Sequence, residues 1–151
     1  MEQIVQLNSN AKLSEHFLLG EMTKSSSHPE VYNIPSHEAI ENLKRVCGWL
    51  EVLRKRYGAP IIINSGYRSP QLNKRIGGVP TSNHLTGCAV DIRVNGMEQL
   101  IRYAAILLDY ADETHQNFDE LLIEKNRFGA IWLHFAVRPK GNRRKVRFIN
   151  A

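Results

Sequence analysis

The sequence lacks the features that mark several classes of protein. No apolar run approaches the roughly 18 residues that a membrane-spanning helix needs, so we expect no membrane insertion. The N-terminus also lacks a positively charged segment followed by an apolar stretch of about 7 to 15 residues, the pattern of a secretory signal peptide. We therefore expect the protein to be cytoplasmic on synthesis.

Cysteine, glycine and proline are scarce as well. Cys47 and Cys88 could form at most one disulfide, and a chain of this size without an export signal does not need one. We interpret both as free thiols. Ten glycines and six prolines among 151 residues, with 42% hydrophobic residues, exclude collagen-like or low-complexity sequence over most of the chain. The composition predicts one domain over residues 1–151.

Acidic residues are missing from the C-terminal tail, about 138–151. The chain has 20 Lys and Arg against 15 Asp and Glu, a net charge of +5. Six of the basic residues lie in this tail: Arg138, Lys140, Arg143, Arg144, Lys145 and Arg147. A basic surface attracts polyanions, whereas the alternative is a solvated terminal strand. Specific nucleic-acid recognition would need interleaved aromatics or a reading helix, so we expect no specific nucleic-acid partner.

Hydrophobic periodicity predicts an α+β protein. Apolar residues at three- and four-residue steps predict a helix capped by Ser36 and ended by Gly58, and a second helix capped by Asn95. A short helix over 13–22 is expected within an N-terminal arm of about 1–35. Strands are predicted at 61–63, 88–94, 120–125 and 131–137, with a long turn-rich loop at 64–83 and a hairpin-sized connection at 126–130.

Residues with chemical potential are concentrated in segments 65–70, 82–91 and 131–134. Alternation along the second predicted strand sends Asp91 to the face opposite its apolar neighbours. Two imidazoles and one carboxylate are the three protein ligands of many catalytic zinc sites, and His84, Asp91 and His134 provide such a set. These residue types alone are only suggestive, since most histidines are surface or satisfied core residues.

The order and spacing of these segments resemble the M15 family of zinc peptidases. That family acts on bacterial wall peptides and includes D-Ala-D-Ala carboxypeptidases, dipeptidases and phage endolysins. Its motif Ser-x-His-x-x-Gly-x-Ala-x-Asp matches 82–91 at every fixed position, its x-Trp-x-His matches 131–134, and its Ser-Gly-Tyr-Arg-Ser matches 65–69. The resemblance runs from about Leu13 to about Arg147 and is of the short single-domain type found in phages and prophages.

The resemblance implies both a fold and a metal. The fold would be α+β, a small antiparallel sheet with flanking helices, like that of D-Ala-D-Ala carboxypeptidases and other Hedgehog/DD-peptidase-like domains. The cofactor would be one zinc ion per chain, with His84, Asp91 and His134 as its ligands.

The resemblance also implies residues that contact the substrate. Arg68 would act in catalysis by binding a substrate carboxylate or the scissile carbonyl through its planar fork; an ordinary surface arginine is the alternative. Ser82 would either bind substrate or turn its loop. Trp132 would either line the cleft or simply pack.

The sequence departs from the family pattern at the general base. Many members place a Glu, or in some a His, three residues before the last ligand, where this chain has Ile131. A hydrolase still needs a group that moves the proton of the attacking water. Glu124 is the predicted substitute, because it lies on the partner strand of the hairpin that carries His134; a solvated, salt-bridging carboxylate is the alternative. Glu120 shares its face but lies four residues further from the turn.

The predicted function is hydrolysis of amide bonds in peptidoglycan stem peptides, either as a D-Ala-D-Ala carboxypeptidase or as an endolysin-type endopeptidase that a phage lysis system releases to the wall. A stem peptide is the expected partner, and we expect a monomer. The alternative is a noncatalytic zinc-binding module on the same fold that recognises a wall peptide or protein. A nucleic-acid-binding protein is a more distant alternative.

Overall fold

The computed structural model describes residues 8–25 and 28–151. The expectation about a signal peptide and the first part of the N-terminal arm fall on residues 1–7, outside this range. The described residues confirm the α+β class, with helices α1 (Leu19–Thr23), α2 (His37–Tyr57), α3 (Pro70–Arg75) and α4 (Met97–Thr114), a 3-10 helix (Asn83–Thr86), and strands β1 (Ile63–Ser65), β2 (Ala89–Arg93), β3 (Glu120–Lys125), β4 (Ile131–Ala136) and β5 (Lys145–Asn150).

Helix α2 begins and ends where the sequence predicts. The Ser36 hydroxyl accepts the backbone N–H of Ala39 at 3.1 Å, which satisfies one of the free donors of the first turn. Gly58 ends the helix in the left-handed conformation, at φ 86°, and its N–H donates to the carbonyl of Arg54. Helices α2 and α4 pack on one face of the sheet and form the core with its apolar residues, which include Val90, Ile92, Leu121, Leu133 and Phe135.

The sheet is mixed, with strand order β1-β2-β4-β3-β5. The first three pairings are antiparallel, but β5 runs parallel to β3, with Arg147 beside Leu122. The prediction of an antiparallel sheet is therefore wrong at this edge. The basic tail supplies β5 because the connection after β4 passes the start of β3, where the backbone N–H of Lys145 donates to the carbonyl of Asp119.

The short elements differ from their predicted bounds. Only the end of the predicted 13–22 helix is helical, because the Ser14 hydroxyl and the backbone N–H of His16 both donate to Glu51 of α2 and hold the preceding turn open. Strand β1 begins at the last residue of the predicted 61–63 strand. Gly96, not Asn95, precedes the first turn of α4.

The predicted loop at 64–83 contains helix α3. Ser69 caps it by accepting the N–H of Leu72, and Pro70 occupies the first helical position, where its missing N–H costs nothing. The two cysteines are buried free thiols, as predicted, and burial raises the pKa of Cys47 to about 12. Within the described part of the chain, no helix combines the length and apolarity needed to cross a membrane.

Candidate metal centre

The three predicted chemical segments meet on the face of the sheet opposite the helices. Strands β2 and β4 are neighbours, and their register places Asp91 directly across from His134. His84 comes from the 3-10 helix just before β2, and the backbone N–H of Arg68 donates to its carbonyl oxygen at 3.0 Å. The topology therefore brings together residues that are 50 positions apart in the chain.

Three potential ligand atoms converge at this point. Nε2 of His84 lies 3.2 Å from Oδ1 of Asp91, and Nδ1 of His134 lies 3.1 Å from the same oxygen. One ligand atom from each residue lies within 4.8 Å of the others. His84 is 1% exposed and His134 6%. Two imidazoles and a carboxylate, buried and converging, are a set that suits a divalent metal with one open position.

Each histidine ring is oriented by a contact on its far side. Nδ1 of His84 lies 2.6 Å from the carbonyl oxygen of Gly66, so the proton is on Nδ1 and the Nε2 lone pair faces Asp91. Nε2 of His134 lies 2.9 Å from Oε1 of Glu120. The rings thus present Nε2 of His84 and Nδ1 of His134 to a metal.

The backbone around His84 is shaped by small residues. The Ser82 hydroxyl accepts the N–H of His84 and starts the 3-10 helix. Gly87 ends it at φ 76°, and a Cβ there would lie 2.4 Å from the carbonyl oxygen of Ala39 in α2. A glycine is therefore required at this position by both backbone conformation and space.

Burial and neighbouring charges set the ionisation of the candidate ligands. Burial lowers the pKa of His84 and favours its neutral form. Burial alone would raise the pKa of Asp91, but the two histidines outweigh it and hold that pKa well below its usual range. Burial likewise opposes charge on His134, yet its hydrogen bonds to Asp91 and Glu120 raise its pKa to about 10. Asp91 is therefore ionised at neutral pH, as a metal ligand must be, whereas His134 is protonated on both ring nitrogens until a metal displaces the proton on Nδ1.

Glu124 lies beside the ligands on the Nδ1 side of His134. Its Oε1 is 3.5 Å from that nitrogen, and its side chain is 16% exposed. Burial, together with the negative charge of Asp91, raises the pKa of Glu124. A partly buried carboxyl group of raised pKa next to a candidate metal site is suited to proton transfer.

Arg68 occupies the other side of the site. Its Nη2 is 3.7 Å from Oδ2 of Asp91, its side chain is 12% exposed, and its Nη1 donates to Asn73. It is therefore not an exposed surface arginine. Nε of Arg68 is buried and has no hydrogen-bond partner among the described residues, so it could bind an oxygen atom of a ligand. Nε1 of Trp132 is also buried, but its contact with the carboxyl group of Glu124 acts to lower the pKa of that group.

A cleft of about 150 Å³ opens next to the candidate ligands. Its lining includes Asp91, Arg68, Lys24, Ser65, Leu72 and Ile76. The cleft therefore presents two cationic side chains beside the site, together with polar and apolar ones.

The structure brings His84, Asp91 and His134 together, with Arg68 and Glu124 beside them. Trp132, directly across from Glu124, shares their face of the sheet. The hydroxyl of Ser82 contacts the backbone of its own loop. Sequence reasoning missed the contacts that orient the two histidine rings. The two-residue period could have pointed to Glu120, but nothing in the sequence marks the carbonyl of Gly66.

The comparisons with known proteins cover most of this site. The sequence model of the family described as Peptidase M15 matches residues 15–123. The match includes Arg68, His84 and Asp91 and ends directly before Glu124, so that His134 lies beyond it. No curated protein shows significant similarity to the chain.

Proposed function

Because this chain belongs to the peptidase M15 family, we propose that it is a zinc-dependent peptidase that hydrolyses amide bonds in peptidoglycan stem peptides. The observation that carries the proposal is the buried convergence of His84, Asp91 and His134, with the carboxyl group of Glu124 at its edge. Family membership makes the protein a hydrolase of the peptidase class; the metal, the substrate and the residue roles are our proposal.

The donor set fits one zinc ion. His84 would bind it through Nε2, Asp91 through Oδ1 and His134 through Nδ1, since these atoms already face one another. When bound, zinc supplies Lewis acidity, which polarises a carbonyl and makes water acidic enough to act as a nucleophile near neutral pH.

Glu124 is the proposed general base. It takes a proton from the attacking water and passes it to the amine that leaves, which requires a carboxyl group whose pKa lies closer to neutrality than usual. The raised pKa of Glu124 and its position on the metal-facing side of His134 support this role. Glu120 contacts the opposite nitrogen of that ring.

Arg68 and Trp132 are the proposed substrate-binding residues. Arg68 carries a fixed positive charge in the cleft and binds a carboxylate or the scissile carbonyl. The buried, unpartnered Nε–H group of Arg68 supports its role, because a bound peptide oxygen would satisfy it. The position of Trp132, directly across from Glu124 on the face that carries the candidate ligands, supports its place at the edge of the site. The Ser82 hydroxyl turns its loop by accepting the N–H of His84, and its own O–H is still able to donate to a substrate oxygen.

A stem peptide suits this protein better than a nucleic acid. Arg138 and Arg143 of the basic tail pair with Asp119, and Arg144 pairs with Asp112. These pairs reduce the charge available to a polyanion. D-Ala-D-Ala carboxypeptidase and endolysin-type endopeptidase activity both use a group that binds a peptide oxygen beside the metal, and the masses of the products will distinguish them.

The general base provides the test between peptidase and binding module. Glu124→Gln keeps the size of the side chain but cannot accept the proton, so we expect hydrolysis of a stem pentapeptide to fall by about 10²- to 10⁴-fold. Zinc content, measured by elemental mass spectrometry, should stay at one ion per chain. His84→Ala should instead lose tight zinc binding.

Two outcomes would contradict the proposal. If Glu124→Gln hydrolyses the stem pentapeptide at the wild-type rate, Glu124 is not the general base. A wild-type protein that is folded and zinc-loaded but cleaves no stem peptide would favour the noncatalytic module on the same fold.

A further inference from the structure

Two glutamates of β3 lie on opposite sides of the ring of His134. His134 pairs across the sheet with Leu122, so that Glu120 and Glu124 are its diagonal neighbours. Glu120 contacts Nε2 at 2.9 Å, whereas Glu124 lies 3.5 Å from Nδ1. Only Nδ1 faces Asp91. The two carboxylates therefore have different positions relative to a metal: one lies beside it and the other behind its ligand.

We propose that Glu120 is the positioning residue of the metal centre. By accepting the N–H of Nε2, it fixes the ring and the tautomer of His134 so that the Nδ1 lone pair points at the metal. A carboxylate behind a metal-bound imidazole also makes that imidazole a stronger ligand. This inference rests on the proposed zinc site and adds to it a residue that does not touch the metal.

Glu120 is itself held by Asn83, the residue before His84. The side-chain NH₂ group of Asn83 donates to Oε1 of Glu120 at 2.7 Å and to Oδ2 of Asp119 at 2.8 Å. One buried amide thus joins the segment of the first histidine to the carboxylate behind the second histidine. The relative position of the two imidazoles depends on this connection.

The C-terminal segment closes the network. Asp119 is 0% exposed and accepts two bonds from the guanidinium of Arg143, at 2.9 and 2.7 Å, and one from its backbone N–H at 3.0 Å. Nε of Arg138 donates to the side-chain oxygen of Asn83 at 3.0 Å. Buried networks in which each member is satisfied are rigid. Segment 138–143 therefore supports the metal centre from outside the family match.

The hydrogen-bond partners of Glu120 argue against a role as general base. Its Oε1 accepts from both His134 and Asn83. Its Oε2 lies 3.9 Å from Nη2 of Arg143. A carboxylate with these partners, on the far side of a ligand, orients that ligand rather than exchanging protons with water.

The first test compares two glutamates on the same strand and the same face. Zinc affinity is measured by competition with a chromophoric chelator, and the cobalt-substituted protein is examined by visible absorption. We expect Glu120→Ala to weaken zinc binding by about 10- to 100-fold and to change the cobalt spectrum. Glu120→Gln retains an oxygen acceptor and should recover most of the affinity. Glu124→Ala should bind zinc within about twofold of wild type.

The second test changes two neighbouring, partly exposed arginines instead of a buried residue. Arg143→Gln removes the clamp on Asp119, and we expect zinc binding to weaken by about 3- to 10-fold. Arg144→Gln is the matched control, because Arg144 pairs with the exposed Asp112, and it should have no effect.

The proposal is wrong if folded Glu120→Ala binds zinc as tightly as wild type. It is also wrong if Glu120→Ala fails to fold while Arg143→Gln and Arg144→Gln bind zinc equally. A wild-type protein without zinc affinity would overturn the metal centre itself, a result distinct from either of these.

Discussion

At the scale of single residues, the 82–91 motif combines chemical and steric requirements. His84 and Asp91 provide candidate ligand atoms, whereas Ser82 and Gly87 shape the turn that aims the histidine. Ala89 is fully buried in β2. The motif positions are visible in the sequence, but only the structure separates the side chains that converge on the site from the residues that give the turn its shape and space.

Gly87 allows a direct test of the steric requirement. Gly87→Ala puts a side chain on a backbone in the left-handed conformation and brings its Cβ into a clash with the carbonyl of Ala39. We therefore expect the free energy of unfolding to fall by about 2 to 4 kcal/mol. Gly129→Ala is the matched control, because Gly129 has a similar φ of 88° and a Cβ added there would meet nothing within 4 Å. This substitution should cost about 1 kcal/mol. Urea denaturation measures both. Equal losses would show that the contact with α2 does not constrain the turn.

The sequence could name the candidate ligands but not their arrangement. His84, Asp91 and His134 follow from motif order, and the period of β3 places Glu120 and Glu124 on one face. Which glutamate contacts which ring nitrogen depends on the register between β3 and β4. Register is set by the packing of a whole face, so spacing along the chain could not assign the two roles.

At the scale of elements, the length of a helix or strand decides how well the sequence predicts its bounds. Helices α2 and α4 and strands β2 to β4 present several apolar residues at a fixed period, which predicts them within a few positions. The arm before α1 instead takes its shape from Glu51 of α2. Strand β5 pairs with a strand that is not adjacent in sequence. Such long-range contacts leave no periodic signal in the segment itself.

The junction of β3 and β5 gives a pH-dependent prediction at this scale. Burial would raise the pKa of Asp119, but hydrogen bonds from Arg143 and Asn83 lower it to about 2, against about 3.9 in an unfolded chain. A pKa that folding lowers stabilises the fold above the unfolded value, and the gain is lost as pH falls through the folded value. The ionised carboxylate of Asp119 thus contributes about 2 kcal/mol above pH ~4, which disappears toward pH ~2.

Asp119→Asn should therefore lower the free energy of unfolding by about 2 kcal/mol at pH 7, and its difference from wild type should shrink between pH ~4 and pH ~2. Urea titrations at several pH values measure this difference. Asp112→Asn, which removes an exposed pair with Arg144, should cost less than about 0.5 kcal/mol. A deficit for Asp119→Asn that is independent of pH would show that the charge on Asp119 is not what stabilises the junction.

At the scale of the whole molecule, the two faces of the sheet have different roles, one in stability and the other in the candidate site. One face packs on α2 and α4 and carries the core, while the other carries the candidate ligands, the two glutamates and the cleft. The basic tail contributes to both, as edge strand β5 and as the arginines that pair with Asp119. Ion pairs within the molecule therefore neutralise part of the positive charge of the tail.

The most direct test of the central claim is mass spectrometry of the products that the zinc-loaded protein releases from purified bacterial sacculi, with a chelated sample in parallel. Hydrolysis at a centre of His84, Asp91 and His134 requires new stem-peptide fragments that disappear on chelation and return with added zinc. Fragments released equally with and without chelator would contradict the metal centre. If folded, zinc-loaded protein releases no fragments from sacculi of several wall types, the protein is not a peptidase of the wall.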